Sequence, residues 1–537
     1  MSRKWLLGGA AVLVLAFIGI RFGGQQGAKQ ELDTLLAHLP PGYAATHGAV
    51  SYNAVTGSGH VDALAVSRNG QRLFAAQEVD ISGLQQGAPG QAPELIGHLV
   101  LHNVTAPFAP HIATMAFDDL HLANLVALFD PSRYPNGKPA ATDDKPILES
   151  LTITDATMHA DPKDLPPQAG NQPAPAVDVH VARARQEGIS ARQFAVAPPS
   201  GGAMSPEFIA AIGAAFSQKS SSMEDLTETV GDAGEFRFGS GSADGYVRGR
   251  LDSEIVRDFS FHLNRPGGGI VSMAKMEFSG LDMREFLARM PAIMAAAKRK
   301  DAKPNMDLGM HLASFGLDDF VVDVPAAPRF ALSSIRLDNS GAGSAFAMHG
   351  LSVVTSKRPL PPKARASLDA FGMADFTADM DIQAAEDAAT GRQMLKHLDI
   401  LLHNLGSLHM SAAIDNWHAP AMGSADAMTA AFEAARIVSA SVRWDDDSLT
   451  GRVFHMMSVQ SGQPEEQLQA AASLALIPIA MNMPDQPDAA QQVQAFLSGR
   501  HALIVTVKPP APVAVGALKG MKPADATRAL GLRIEGS

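Results

Sequence analysis

Cysteine is absent from all 537 residues. Its absence excludes disulfides, thiolate zinc sites, iron–sulfur clusters and a cysteine nucleophile. Charged residues are also scarce: Asp, Glu, Lys and Arg make up 18% of the chain, below the roughly 25% of an average globular protein. The formal net charge of −12 disfavours nonspecific capture of nucleic acid, whose backbone carries the same sign. These absences exclude several function classes without naming an activity.

Recognisable catalytic motifs are missing as well. No serine has glycine at both −2 and +2, so the nucleophile elbow of α/β-hydrolases is absent. Neither the Gly-Lys-Ser/Thr of a phosphate-binding loop nor the His-Glu-x-x-His of a zinc protease occurs. We therefore predict no catalytic residues, no cofactor and no metal site, and a non-enzymatic function.

The amino terminus carries a long apolar run. Arg3 and Lys4 precede apolar residues 5–20, and Arg21 ends the run. Such a helix spans about 24 Å, and snorkelling of Arg21 extends it towards a hydrocarbon core of roughly 30 Å. A cleaved secretory signal is the alternative, since Val14-Leu15-Ala16 loosely fits the cleavage rule. Under both alternatives the rest of the chain is exported from the cytosol. We predict a single-pass anchor over residues 1–24 in the bacterial inner membrane, with a cytoplasmic amino terminus and a periplasmic body.

The pattern after the anchor changes from helical to alternating. Leucines at helical spacing predict a juxtamembrane helix within residues 25–45, ended by Pro40-Pro41-Gly42. Alternating apolar residues on both sides of Thr56-Gly57-Ser58-Gly59 predict a β-hairpin over residues 50–66. A similar pattern around Asp445–Asp447 predicts a second hairpin over residues 442–453.

Two segments recur along the chain. Residues 115–129 align without gaps with residues 276–290, and residues 148–155 align with residues 312–319. The offsets of 161 and 164 residues are nearly equal, so the pattern indicates an internal duplication. Each copy is predicted to be a strand, a short amphipathic helix closed near Pro131 or Pro291, a polar linker and another strand. We predict three units after the anchor, over residues 46–205, 206–365 and 366–537.

Predicted strands outnumber predicted helices, and many of them are consecutive. This order favours an α+β, β-rich fold class with long antiparallel sheets and inserted amphipathic helices. The further strand candidates are Glu235–Phe238, Tyr246–Leu251, Phe259–Leu263, Phe330–Leu337 and Ala345–Val354. The helix candidates are Ser205–Phe216, Gly391–Leu405, Pro464–Leu476 and Asp488–Leu497. Linkers are predicted at residues 136–145, 162–175 and 198–205.

Histidines are the first candidates for metal ligands. His98 and His102 share one face of a predicted strand, with Leu99 and Leu101 on the buried face. No third ligand is evident, so a solvated strand face with two ordinary histidines is favoured over a metal site.

Three further histidines, His397, His403 and His409, are spaced six residues apart. On a helix this spacing rotates successive side chains by roughly 120°. They therefore do not converge on one ion, and we interpret them as surface histidines.

Other motifs also favour structural roles. Gly239–Gly245 is interpreted as a flexible hairpin turn rather than a dinucleotide loop, and Asp445–Asp447 as a hairpin tip rather than a weak calcium site. Lys298–Lys300 complements the carboxyl-end dipole of a helix begun at Leu281, with contact to a lipid headgroup as the alternative.

Two residue pairs remain. Met290 and Met294 are expected to fill gaps in the core. Asp318 and Asp319 are adjacent on a predicted strand, so they point to opposite faces. That geometry is poor for paired acid–base catalysis, and a hydrolase built on them is the least favoured alternative.

The anchor, the leucine-bearing helix and the hairpin with Tyr52-x-x-Val55-Thr56-Gly57 together resemble uncharacterised bacterial envelope proteins of the YdgA and AsmA-like type, most strongly over residues 1–85. The resemblance implies an inner-membrane-anchored periplasmic protein with long sheets, connected with envelope maintenance and lipid handling. We expect an apolar sheet face that binds a lipid. The alternative is a structural scaffold that binds another envelope protein through sheet edges.

Overall fold

The computed structural model describes residues 43–53, 55–68, 70–85, 94–107, 109–134, 142–160, 175–197, 205–264, 267–297, 309–339, 341, 343–356, 358–387, 389–417, 425–475, 478, 482–483, 485–499 and 502–536. The predicted anchor, nearly all of the predicted juxtamembrane helix, most of the predicted linkers and Lys298–Lys300 lie outside these ranges. The chain divides into two compact units. Unit 1 comprises residues 1–265 and 277–312, and unit 2 comprises residues 266–276 and 313–537.

Strands dominate the described chain, which confirms a β-rich fold built on long antiparallel sheet. Their bounds are β1 Tyr43–Thr46, β2 Val50–Asn53, β3 Ser58–Arg68, β4 Gln71–Gln85, β5 Leu95–Ala106, β6 Ala109–Leu120, β7 Lys145–Ala160, β8 Val177–Ala191, β9 Phe216–Val230, β10 Gly234–Val247, β11 Arg250–Leu263, β12 Ile270–Asp282, β13 Ser314–Asp323, β14 Arg329–Asp338, β15 Gly343–Val354, β16 Asp375–Asp387, β17 Arg392–Leu402, β18 Gly406–Asp415, β19 Arg436–Asp446, β20 Ala502–Val507, β21 Val513–Ala514 and β22 Leu532–Gly536.

Helices are fewer and mostly short. Their bounds are α1 Leu122–Phe129, α2 Pro206–Gly213, α3 Arg284–Ala297, α4 Pro362–Phe371, α5 Ala425–Ala434, α6 Leu449–Ser461, α7 Glu465–Leu474, α8 Ala489–Leu497, α9 Val515–Leu518 and α10 Pro523–Ala529. Four of them, α1, α2, α7 and α8, confirm helices predicted from the sequence. Within the described ranges no helix is long and apolar enough to span a membrane.

Both units follow a simple antiparallel order. In unit 1, β1 and β2 pair with β3, and each strand from β3 to β11 pairs with the next. The hairpin predicted over residues 50–66 is confirmed, because Val50 pairs with Val61 across a turn where Gly57 has φ +64°. In unit 2, each strand from β13 to β20 pairs with the next, β21 adds to β19, and β22 adds to β20.

Two rows that contain left-handed residues cross the sheet of unit 1, six residues apart along each strand. On β4 they pass through Gln77 and Gly83, of which Gly83 is left-handed, and on β5 through Gly97 and Asn103, of which Asn103 is left-handed. One row holds Gly83, Asp119, Gly188 and Gly245, with φ between +48° and +67°. The other holds Ala63, Asn103, Asp155, Asp225 and Asp258, with φ between +47° and +55°.

These rows change the spacing of the core residues. On β5, the buried residues Leu99 and Leu101 are two positions apart, whereas Leu101 and Val104 are three apart across Asn103. Bulges of this kind bend a strand. Because the extra residue recurs in strand after strand, the apolar side chains of each strand return to the same face beyond each row.

The core of unit 1 is concentrated on strands β3–β7. Helices α1 and α2 and the segment around Phe194 cover this part of the apolar face. Phe194 is fully buried and its ring centroid lies 5.1 Å from that of Phe208 on α2 and 5.4 Å from that of Phe129 on α1. Ser205 caps α2 by accepting the Phe208 N–H at 3.2 Å. Burial of these aromatic rings holds the covering helices on the sheet.

The predicted helix Gly391–Leu405 is wrong, because these residues form β17 and the following turn. A register shift lies between Leu395 and Leu398. An extra residue in a strand separates apolar positions by three, which imitates helical spacing. Irregular pairing therefore explains the error.

The hairpin turn predicted over Gly239–Gly245 is also wrong. These residues continue β10 instead of forming a turn. Gly245 has φ +67°, and a Cβ there would lie 2.8 Å from Asp252 Cβ. The glycine is needed for close strand approach at the bulge rather than for a reversal.

Two further predictions, a hairpin and the start of a helix, differ from the structure. The hairpin predicted over residues 442–453 is wrong, because β19 ends at Asp446 and α6 begins at Leu449; Asp446 Oδ1 accepts the Thr450 N–H at 3.1 Å. The helix predicted from Leu281 begins instead at Arg284, and Pro291 lies inside it. Asp282 Oδ1 accepts the Arg284 N–H at 3.0 Å, which favours ending the strand there.

Candidate functional site

We call the two rows that contain left-handed residues the bulge rows. Between them, the apolar face of unit 1 holds two adjacent rows of residues that pair from strand to strand. The first row reads Val61, Val79, Leu101, Met115, Ile153, Ala184, Met223, Gly241 and Val256 from β3 to β11. The second reads Gly59, Ile81, Leu99, Phe117, Leu151, Gln186, Ser221, Ala243 and Glu254. From β8 onwards both rows hold mostly small or polar side chains, and Met223 and Val256 are the larger apolar members.

We call Ala184, Ser221, Gly241 and Ala243 the open strip. Larger apolar side chains lie beyond the bulge row on the same face, where Phe236 pairs with Phe261. Phe259 packs edge-to-face on Phe236, with ring centroids 4.9 Å apart. All three phenylalanines are only half-buried. The open strip is therefore a band of small side chains beside an incompletely covered aromatic band.

A single carboxyl group stands at one end of the open strip. Glu254 lies directly opposite Ala243 and forms no hydrogen bond or ion pair with any residue that the structure describes. Burial raises the pKa of this carboxyl. An uncompensated carboxyl on an apolar face costs stability, so its presence marks this end of the strip as chemically distinct.

The opposite, polar face carries cross-strand histidine–aspartate pairs. His60 Nδ1 lies 2.6 Å from Asp80 Oδ1, and His60 Nε2 lies 2.9 Å from Asp62 Oδ1. His102 Nε2 approaches the second oxygen of Asp80 at 3.2 Å. The hydrogen bond to Asp80 is the main cause that raises the pKa of His60. These contacts join β3, β4 and β5 on the solvated side.

A second network lies along the same face. His98 Nδ1 lies 2.7 Å from Asp118 Oδ1, and Ser150 Oγ donates to Asp118 Oδ2 at 2.6 Å. The Ser150 hydroxyl, followed by His98, lowers the pKa of Asp118. A shallow cavity of about 310 Å³ adjoins both networks, and its lining includes Tyr52, His60, Asp80, Ser82 and His98.

The sequence placed His98 and His102 correctly. Both lie on the polar face of β5, and Leu99 and Leu101 are 1% and 2% exposed on the other. Each histidine contacts an aspartate of a neighbouring strand. In the part of the chain that the structure describes, no group of three or more histidine, aspartate or glutamate side chains is arranged to hold a metal ion.

The histidines at residues 397, 403 and 409 lie on or beside strands, not on a helix. His403 Nε2 lies 2.7 Å from Asp379 Oδ2, and His409 Nδ1 lies 2.7 Å from Asp399 Oδ1. Their aspartate partners sit on neighbouring strands, so these contacts depend on a strand register that spacing along the chain does not show.

The acidic candidates have structural partners. Arg443 binds both oxygens of Asp445 and is the main cause that lowers its pKa. Asp318 forms an ion pair with Arg336 at 2.5 Å, whereas Asp319 has φ +50°.

The two methionines differ in exposure. Met290 is half-buried, but Met294 is 46% exposed, so it does not fill a core gap.

The comparisons with known proteins add little to this geometry. A family model described only as an uncharacterized protein matches residues 399–537. The search of curated proteins found no match.

Proposed function

We propose that the open strip of unit 1 binds the acyl chain of a lipid. The observation that carries this proposal is the contrast along one row of the apolar face. Val61, Val79 and Leu101 are buried in the core, whereas Met223 and Val256 are only half-buried. These half-buried side chains and the neighbouring phenylalanines present apolar surface that a narrow apolar ligand would cover, and burying apolar surface is favourable at about 25 cal/mol per Å².

Membrane attachment is part of the same proposal. The apolar residues 5–20 would anchor the chain in the inner membrane and place the bulk of it in the periplasm. Fractionation of cells and extraction with alkaline carbonate test this arrangement: the protein should stay in the membrane pellet. Recovery in the cytosolic fraction would contradict it.

Internal duplication also belongs to the proposal. The order strand–helix–strand recurs as β6–α1–β7 and β12–α3–β13. Asp119 and Gly280 are left-handed at the offset of 161 residues, and Asp155 and Asp319 at the offset of 164. Coincident backbone conformations at aligned positions support a duplicated unit, in keeping with the resemblance to envelope proteins of the YdgA and AsmA-like type.

A pair of tryptophan substitutions tests the binding role. Ala243→Trp fills the open strip, whereas Ser242→Trp places the same side chain on the exposed polar face of β10. Full-length protein is purified in mild detergent and its lipids are extracted for mass spectrometry. The wild type and Ser242→Trp should carry lipid, and Ala243→Trp should lose it. Lipid-free wild type that crosslinks stoichiometrically to one envelope protein would instead favour a scaffold.

A further inference from the structure

Three side chains on the exposed face of β17 and β18 form a hydrogen-bonded series. Ser407 Oγ lies 3.0 Å from His409 Nε2, and His409 Nδ1 lies 2.7 Å from Asp399 Oδ1. Asp399 is directly opposite His409 across the strand pair. Ser407 and His409 are two residues apart on β18, so their side chains share a face. One nitrogen of the imidazole therefore contacts the carboxylate while the other meets the hydroxyl.

We propose that Ser407, His409 and Asp399 form an esterase site in unit 2, a function separate from lipid binding by unit 1. Acyl transfer by serine needs a hydroxyl, an adjacent base and a group that orients the base, and such sites are recognised by geometry and roles. The residues before and after Ser407 lack the glycine spacing of a nucleophile elbow. A motif search therefore misses this site.

The surroundings of Ser407 select the substrate class. Leu401 is directly opposite Ser407 and 40% exposed, so an apolar surface lies beside the hydroxyl. The side chains of His409 and Asp399 are 46% and 43% exposed, which leaves the site open to a ligand from solvent. These features fit a carboxylic ester with a small apolar acyl group.

A cation on β19 lies beside the base. Arg443 is directly opposite His409, and its Nε and Nη2 donate to Asp445 at 2.7 Å. Its Nη1 donates to no residue in the described ranges, so this nitrogen is free to bind an anion. Asp445 Oδ2, whose charge Arg443 neutralises, lies 3.8 Å from His409 Nε2. A charged donor aimed at developing negative charge is a common source of transition-state stabilisation.

Gly406 fixes the position of the nucleophile. It precedes Ser407 with φ +145°, and a Cβ at this residue would lie 2.3 Å from the Asp445 carbonyl oxygen. Only glycine permits the two backbones to approach so closely here. The start of β18 is thereby held against β19 at the residue next to the hydroxyl.

The reaction balances with water as the second substrate. Ser407 Oγ forms a bond to the ester carbonyl carbon, and its proton passes to His409 Nε2. The carbon–oxygen bond to the alcohol then breaks, and the alcohol leaves with that proton. Water gives a proton to His409, attacks the acyl carbon and displaces Ser407 Oγ, which regains the proton. Asp399 holds the imidazole in position throughout.

Labelling with a fluorophosphonate tests the nucleophile in the full-length wild-type protein. After digestion, mass spectrometry should find the adduct on Ser407 and not on Ser411, a residue of the same strand and face that pairs with Ser441. Ser82 is a second internal control, because it lies opposite His98 but forms no hydrogen bond to it within the described ranges. Equal labelling of Ser407 and Ser411 would overturn the proposal.

Variants separate catalysis from a structural role. Ser407→Ala should abolish hydrolysis of p-nitrophenyl butyrate, and Ser411→Ala should leave it unchanged. His409→Ala should slow labelling of Ser407 about 100-fold, the range of general-base catalysis, and added imidazole should restore part of the rate. Melting temperatures verify that each variant folds. Labelling of Ser407 that is unaffected in folded His409→Ala contradicts the role of the base.

Discussion

Strands β3–β7 and β9–β11 of unit 1 share one antiparallel pattern, yet they differ in what covers their apolar face. Over β3–β7, helices α1 and α2 and Phe194 cover a core in which apolar side chains such as Val79 and Ile81 are buried to 0% and 2% exposure. Over β9–β11, the matching positions hold Ser221, Gly241 and Ala243, and the neighbouring phenylalanines stay half-buried. The difference shows that one sheet combines a covered core over β3–β7 with an incompletely covered apolar face over β9–β11.

The largest effect is expected from removing an aromatic ring in the covered part. Phe208→Ala deletes a side chain that is 1% exposed and packs on Phe194. Loss of a buried phenylalanine costs about 3–5 kcal/mol. Hydrogen exchange followed by mass spectrometry should show a matching fall in the opening free energy of β3–β7.

The same substitution in the uncovered part should behave differently. Phe261→Ala removes a half-buried ring and should lower the opening free energy of β10 and β11 by only about 1 kcal/mol. It should, however, reduce the lipid recovered with the protein. A loss of stability equal to that of Phe208→Ala would show that the two regions are packed alike.

A second prediction concerns the bulge rows. Gly245→Ala places a Cβ 2.8 Å from Asp252 Cβ at a left-handed residue, whereas Gly57→Ala has similar φ and nothing within 4 Å. The left-handed conformation alone costs roughly 1–2 kcal/mol, so Gly57→Ala should lose about that much and Gly245→Ala more. Hydrogen exchange of β10 and of the β2–β3 hairpin measures both. Equal losses would mean that strand approach at the row is loose.

The smallest effect is a pH dependence on the polar face. The pKa of His60 is raised above 6.5, chiefly by its hydrogen bond to Asp80. Its contribution to stability is therefore full below pH 6.5 and disappears as pH rises through the raised pKa. The side chain is 37% exposed, so solvent screening keeps the effect small. His60→Gln should remove this pH dependence of the opening free energy of β3, and an unchanged profile would contradict it.

The opposite sign is expected for Asp118. Its pKa is lowered, first by the Ser150 hydroxyl and then by His98. Its contribution is present above pH 3.8 and disappears as pH falls through the lowered pKa. Asp118→Asn should flatten the acid limb of the stability of β5 and β6, as measured by hydrogen exchange near pH 4 and below.

Period-two alternation was enough to predict a β-rich fold with long antiparallel sheet, because this alternation is typical of strands with one buried face. The hairpin at Gly57 and the face shared by His98 and His102 followed from the same rule. Errors concentrated where strands carry extra residues. The register shift between Leu395 and Leu398 gave apolar residues a spacing typical of a helix, and the glycine at the left-handed position 245 suggested a turn. Bulges depend on pairing with a neighbouring strand, which a single sequence does not reveal.

The candidate sites were harder to predict. The open strip depends on which strands the helices cover, and that is set by tertiary packing around Phe194 and Phe208. Ser407, His409 and Asp399 meet only because β17 and β18 pair in one register. Two-residue spacing between Ser407 and His409 was the available signal, and it became informative once β18 was known to be a strand.

Lipid binding in the open strip is tested most directly by the lipid content of Ala243→Trp compared with that of Ser242→Trp, both purified as full-length protein. If the acyl chain binds in the open strip, Ser242→Trp retains the lipid of the wild type, and Ala243→Trp loses it while its hydrogen exchange over β3–β7 stays unchanged. Equal lipid content in the two variants would contradict binding in the open strip.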